Sequence, residues 1–208
     1  MQTPQAMAYT RWQTQSFQRA VRAVHAAGFE PGQVHLQASY GVLNGEAQNF
    51  TCARVGIALY GVLSDTTPTV RHLPLRPALA LHARVASVRW LKPGQGAGYG
   101  LAFVARRPTR LACVTIGYAD GVPRDFALRG GQVLVCGQRA PAVGRVCMDQ
   151  MLVDVTEIED VRPASVVTLI GTDGGQTLRA EEFAAMCGTI TNEALTRLSA
   201  RVPFVWKG

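Results

Sequence analysis

Residues 50–61 read FTCARVGIALYG, an apolar run with Arg54 set inside it. A charge within a core-like strand is costly unless it is met by a specific partner. Arg54 is therefore expected to face a particular group. Arginine is the dominant cation: of 21 basic residues only Lys92 and Lys207 are lysine. A net charge of +7 and a pI near 9.6 fit an arginine-biased composition, a nucleic-acid surface or several anion sites. The arginines are scattered, with no block and no arginine–aromatic ladder, so no nucleic-acid partner is expected. Cys52, Cys113, Cys136, Cys147 and Cys187 are odd in number, widely spaced and free of any C-x-x-C, which argues against a disulfide framework and against a metal site. They are expected to be reduced core residues.

The elements that must hold such groups follow from the pattern. Phe17, Val21 and Val24 recur at helical spacing within 11–28, and Gly28 follows as a stop. VHLQAS (34–39) is strand-like, YGVLNGEAQN reads as a helical turn and loop, and strand character resumes up to about Val55. That order is a piece of an α/β repeat. Pro68, Pro74 and Pro77 mark a linker over 64–77. From Leu79 to Gly171, short runs rich in valine, leucine and alanine alternate with glycine and proline, which predicts a compact β domain, a barrel or a sandwich. Two short helices follow: RAEEFAAMC, ending at Gly188, and ITNEALTRLSA, with Thr189 as N-cap. No run approaches 18 apolar residues and no secretory signal opens the chain, so no membrane segment and a cytoplasmic location are expected. Two parallel strands cannot close a barrel or cover a parallel sheet, so further barrel strands are expected outside this chain.

Five motifs occur in order: ARVGIALYGVLS (53–64), GYG (98–100), IGYADGVPR (116–124), APAVGRVCMDQMLVDVT (140–156) and GTITNE (188–193). Together they resemble the C-terminal half of the pyridoxal-phosphate-dependent alanine racemases. HLQASYGVLN and TITNEALTRL look closer to the VanT-type serine/alanine racemases associated with vancomycin resistance. The resemblance implies an α/β barrel fragment, the last strands of a TIM-type barrel, over 1–73. An all-β barrel-like C-terminal domain with short helices follows over 74–208. It implies racemisation of L-serine or L-alanine to the D-isomer for peptidoglycan precursors, a small amino-acid substrate, and either a homodimer or association with the missing barrel portion. A non-catalytic basic β module binding a protein partner or nucleic acid is the alternative.

The resemblance also assigns roles. Ser39, Gly56 and Ile57 match the phosphate site, where a hydroxyl and backbone N–H groups suit an anion. Arg54 matches the arginine opposite the pyridine nitrogen, which disfavours protonation there and keeps the cofactor suited to racemisation. Tyr99 matches the acid/base tyrosine that reaches Cα from the other subunit's β domain. Tyr118 and the backbone at Met148 match the substrate side, where Asp149 either joins them or is a buried structural carboxylate, and Arg124, Arg145 and Ile190 match the entry corridor. Asn192 stands where alanine racemases place a tyrosine beside the phosphate. It is smaller and offers both donor and acceptor to a β-hydroxyl. The Schiff-base lysine is expected on a barrel strand that this chain lacks, and neither Lys92 nor Lys207 matches it. The histidine that supports Arg54 is likewise expected upstream of residue 1.

Overall fold

The computed structural model describes residues 3–45 and 50–206, which form two compact units. The first comprises the chain up to Leu63 together with Thr67–Arg76; the second comprises Ser64–Thr66 and everything from Pro77 onward.

Helix α1 of the first unit runs Pro4–Ala26, a turn and more longer at its start than the apolar spacing predicts. Thr3 explains the extension. Its hydroxyl accepts from the Ala6 amide at 3.1 Å, and Pro4 begins the helix where a missing N–H costs nothing. Phe17 meets Phe50 edge-on, 5.4 Å between ring centres. The strands expected at 34–39 and up to Val55 are reduced to one parallel bridge, Ala38 to Arg54, supported by Arg54 N–H to Gln37 C=O at 2.8 Å. A parallel strand earns its ladder from neighbours on both edges, and here each segment meets only the other. Ser39 instead opens helix α2 (Ser39–Asn44). The loop expected through 46–49 lies outside the described residues. The stretch read as a linker is pinned to α2: Val70 N–H donates to Asn44 Oδ1 and Arg71 N–H to Leu43 C=O, both at 2.9 Å.

The second unit holds strands β1 (Leu81–Leu91), β2 (Gly96–Ala97), β3 (Phe103–Val104), β4 (Thr109–Val114) and β5 (Gln132–Val135). Strands β6 (Gln138–Val143), β7 (Met151–Asp154), β8 (Val166–Asp173) and β9 (Gln176–Leu178) follow. The antiparallel ladder runs β1-β4-β7-β6-β5-β8-β9, and β8 also pairs with β1. One long strand serves two partners, changing from β8 to β4 between Arg84 and Val85, with a register shift just beyond, between Val85 and Ser87. Leu81–Arg84 pairs with β8, while Val85–Leu91 pairs with β4. The β domain expected from the alternating runs is thus present, with β1 bent between two faces of the ladder. Inside lie Leu111, Val133, Leu134, Val135, Val153 and Leu169, all fully buried. Helix α3 (Ala180–Met186) inserts Phe183 against Phe126, centroids 5.6 Å apart. Burial of each such ring contributes about 1.5–3 kcal/mol.

Helix α4 spans Thr191–Thr196, and its N-cap is Ile190, not Thr189. The Thr189 hydroxyl hydrogen-bonds the Glu193 carboxylate instead of an N-terminal amide. The cysteines are all free, as expected, but only Cys187 is a core residue. Cys136 is exposed because, with Gly137, it forms the two-residue turn joining β5 to β6, where both residues take positive φ.

Candidate active site

Arg54 is exposed, contrary to its apolar setting in sequence, because the bridge to Ala38 covers only one side of its segment. It is nonetheless partnered. Arg54 Nη1 meets His35 Nδ1 at 2.5 Å, and the guanidinium also donates to the carbonyls of His35 at 3.4 Å and Leu36 at 3.3 Å. The supporting histidine expected upstream of the chain therefore has a counterpart inside it. A guanidinium has no acceptor, so His35 Nδ1 supplies the lone pair and its neutral ring carries the proton on Nε2. Sequence reading treated His35 only as part of a strand; its place on the segment that faces Arg54 across a parallel bridge was the available signal.

Two residues beyond Arg54 the backbone turns at Gly56 into a 3-10 turn, Ile57–Tyr60. Ser39 Oγ, buried at the start of α2, accepts from the amides of Gly56 at 2.9 Å and Ala58 at 3.4 Å. A Cβ on Gly56 would meet nothing within 4 Å, so its outer side is open. A hydroxyl, neighbouring amide donors and a fixed guanidinium within one short segment form a donor set suited to an anionic, nitrogen-bearing aromatic group. Pyridoxal phosphate fits that set. Ser39, Arg54, Gly56 and Ile57 lie close together in the first unit.

The second unit carries two exposed tyrosines on glycine-flanked turns. Tyr99 occupies a 3-10 turn, Tyr99–Leu101, at the tip of the β2–β3 ribbon. Gly100 takes φ +66°, and a Cβ there would fall 2.5 Å from Arg145 Nη1, so the Arg145 guanidinium lies against the turn. Tyr118 opens a second such turn, Tyr118–Asp120. Its amide donates to the Cys147 carbonyl, and the Ala119 amide to the Met148 carbonyl, each at 3.0 Å. The approach is close enough to demand glycine at 117: a Cβ would sit 2.3 Å from both carbonyl oxygens. The 144–150 loop between β6 and β7 therefore braces both tyrosine turns, through Arg145 on one side and Cys147 and Met148 on the other.

Asp149 is exposed, and its carboxylate is engaged by Arg201 Nη2 at 2.5 Å. That contact and the Asp149 charge push the Arg201 guanidinium above its usual range, so it stays charged. Arg201, absent from the sequence-based site, also lies 3.6 Å from Asp120. Asn192 is exposed in the first turn of α4. Its neighbour Thr191 is fully buried, with the amide donating to the Ser64 carbonyl at 2.7 Å and a hydroxyl that has no partner among the described residues. Ile190 is exposed at the cap. Among the described residues no cluster of histidine, cysteine and carboxylate groups suits a metal ion. No described helix is long and apolar enough to cross a membrane.

The alanine racemase N-terminal domain matches residues 2–64, and the alanine racemase C-terminal domain matches residues 78–206. An amino-acid racemase of Enterococcus faecalis is 38% identical over 96% of this chain, which covers 28% of that protein. An alanine racemase of Geobacter sp. is 37% identical over 95% of the chain, covering 52% of the relative. The crystal structure of alanine racemase from Bacillus anthracis with bound L-Ala-P superposes with a TM-score of 0.82 at 36% identity, covering 94% of this chain and 50% of that one. That of the Bartonella henselae enzyme with covalently bound pyridoxal phosphate gives 0.76 at 33%, covering 90% and 50%. The chain spans about half the length of most of the curated relatives it matches. With one family domain matched across more than half of its residues, the chain belongs to the alanine racemase family.

Proposed function

We propose that this chain is part of a pyridoxal-phosphate-dependent racemase of small amino acids, contributing half of the cofactor site and the substrate-side β domain. The observation that carries the reading is the Ser39 hydroxyl 2.9 Å from the Gly56 amide, two residues beyond an arginine fixed by His35. Pyridoxal phosphate, when bound, supplies the electron sink that makes a Cα proton removable. Ser39 and the Ile57 amide would hold its phosphate, joined by the Gly56 amide once that amide is released from Ser39 Oγ. Arg54 would face its ring nitrogen, where a permanent positive charge would disfavour protonation of that nitrogen. Tyr99 moves the proton at Cα on one face, delivered across a subunit interface in a homodimer. Tyr118 and the backbone at Met148 hold the substrate carboxylate. Asn192, smaller than tyrosine and able to hydrogen-bond, leaves room for the β-hydroxyl of serine beside alanine, as in the VanT-type branch. Lys92 lies in the turn after β1, outside any motif that the resemblance assigns to the cofactor, and Lys207 lies outside the described residues. Neither serves as the Schiff-base lysine in this reading, so the chain alone does not racemise.

The test compares binding of pyridoxal phosphate and of pyridoxal to the purified chain, followed by assay for D-serine and D-alanine. Pyridoxal phosphate should bind more tightly than pyridoxal, and Ser39→Ala should weaken it about tenfold or more, the worth of a hydrogen bond to a charged group. Racemisation should appear only on co-expression with the N-terminal barrel portion of a relative such as the Geobacter enzyme. Equal affinity for pyridoxal would sink the cofactor reading. Steady D-isomer production by the chain alone would sink the claim that it is inactive by itself. A salt-dependent shift of RNA or DNA, indifferent to cofactor, would favour the basic-module alternative.

A further inference from the structure

Tyr118 and Met148 lie on separate loops, and a third segment touches both. Residues 197–201, the backbone leaving helix α4, run along the Tyr118 turn. A Cβ on Gly121 would fall 2.6 Å from the Arg197 carbonyl oxygen, and the Ser199 amide donates to the Asp120 carbonyl at 3.3 Å. The Arg201 amide donates to the Ser199 hydroxyl at 3.2 Å, which turns its side chain back toward the two loops. There Arg201 Nη2 lies 2.5 Å from Asp149 Oδ1 and Nε lies 3.6 Å from Asp120 Oδ1. Asp120 is buried inside the Tyr118 turn, and its other oxygen accepts the Gly117 amide at 2.9 Å. Asp149 follows Met148 directly.

We infer that Arg201 is a positioning residue: through Asp120 and Asp149 it locks the Tyr118 turn to the Met148 backbone, fixing the spacing of two groups that hold the substrate carboxylate. The inference rests on the racemase reading for its consequence, though not for its geometry. Two carboxylates on adjacent loops repel, and one largely buried carboxylate is costly without a cation. The guanidinium hydrogen-bonds Asp149 through Nη2 while its Nε faces Asp120 as an ion pair at 3.6 Å, a spacing of two nitrogens that a lysine ammonium does not offer. The helix that leads into this backbone carries Asn192 in its first turn. Asp149 then acts as a strut between Arg201 and the Met148 backbone.

The test is amide hydrogen exchange followed by NMR on the full chain. In Arg201→Gln and in Asp149→Asn, exchange of the Tyr118 and Ala119 amides should quicken about two- to fivefold, as expected for losing a half-exposed ion pair. Exchange across β5, at Val133–Val135, should not change. Arg201→Lys should recover part of the protection. Unchanged exchange at Tyr118 and Ala119, or quickening spread equally through β5, would overturn the inference, the latter by showing a general loss of stability. In the co-expressed assembly, Arg201→Gln should raise KM for L-alanine about tenfold with kcat altered less than about twofold, the signature of lost ground-state binding. A loss in kcat alone would also overturn it. If no assembly racemises, the proposed function fails, while the exchange pattern still decides the clamp.

Discussion

Arg54 Nη1 and His35 Nδ1 meet at 2.5 Å across a single parallel bridge, which fixes both the direction of the guanidinium and the tautomer of the imidazole. The donor can only be arginine, so His35 keeps its proton on Nε2. In a long-range proton–nitrogen NMR spectrum the neutral His35 ring should show Nδ1 as the unprotonated nitrogen. A ring protonated at Nδ1 would contradict the contact. His35→Ala should free the guanidinium and weaken pyridoxal phosphate binding without lowering the stability of the β domain.

Two glycines separate local fit from ligand fit. Gly117→Ala drives a methyl to 2.3 Å from the Cys147 and Met148 carbonyls, and backbone cannot yield as a side-chain tip can. It should cost about 1–3 kcal/mol in urea unfolding, the usual range for overpacking. Gly56→Ala meets nothing within 4 Å in this chain. Its stability should stay within about 0.5 kcal/mol of the parent, while pyridoxal phosphate binding falls because the amide can no longer be approached closely. Equal destabilisation by both substitutions would remove the distinction.

Cys187 sets an alkaline limit on stability. Burial pushes its thiol up to about 12, whereas an unfolded thiol ionises near about 8.5. Between these values the unfolded chain has lost a proton that the folded chain retains. Stability is therefore unaffected by this group below about pH 8.5 and falls as pH rises toward 12, by about 1.4 kcal/mol per pH unit. Urea midpoints at about pH 8 and about pH 10 should show the fall, and Cys187→Ala should reduce it. Some slope should remain, because desolvation also raises the Cys113 and Cys136 thiols. An identical pH slope in parent and variant would contradict the assignment.

Much of the candidate site was legible because its determinants are local. Gly117 in IGYADG and the glycines around Tyr99 are required by turns only a few residues long, so they leave a motif in the sequence. The helices around Phe17 and Phe183 were legible through apolar spacing. Strands at 34–39 and 50–55 were not, since alternation and β-branching describe a segment's preference, while a ladder is a property of its neighbours. Arg54 looked buried for the same reason: apolar residues flank it in sequence, but only one segment covers it. Arg201 and Asp149 were invisible as a pair because they are 52 residues apart and neither lies in a periodic pattern. Thr189 was misread as a cap because threonine before a helix usually is one, whereas here its hydroxyl is taken by Glu193.

The two units should open at very different cost. Among the described residues, Leu43 and Val62 are the buried apolar side chains of the first unit, and helix α1 buries none among its 23 residues. A helix without a buried face depends on propensity and capping, which leave an isolated helix marginal in water. The second unit instead buries Phe126, Phe183, Leu111, Leu134, Leu169 and Ile170 almost completely. Local opening free energy follows such burial. Amides in the middle of α1 should therefore exchange within minutes, while those of β5 and β8 persist far longer, close to the limit set by global unfolding. Thermal unfolding followed by helix signal should begin before the loss of near-ultraviolet signal from the β domain. Coincident transitions, or α1 amides as protected as those of β5, would show that the first unit draws stability from something other than its own core.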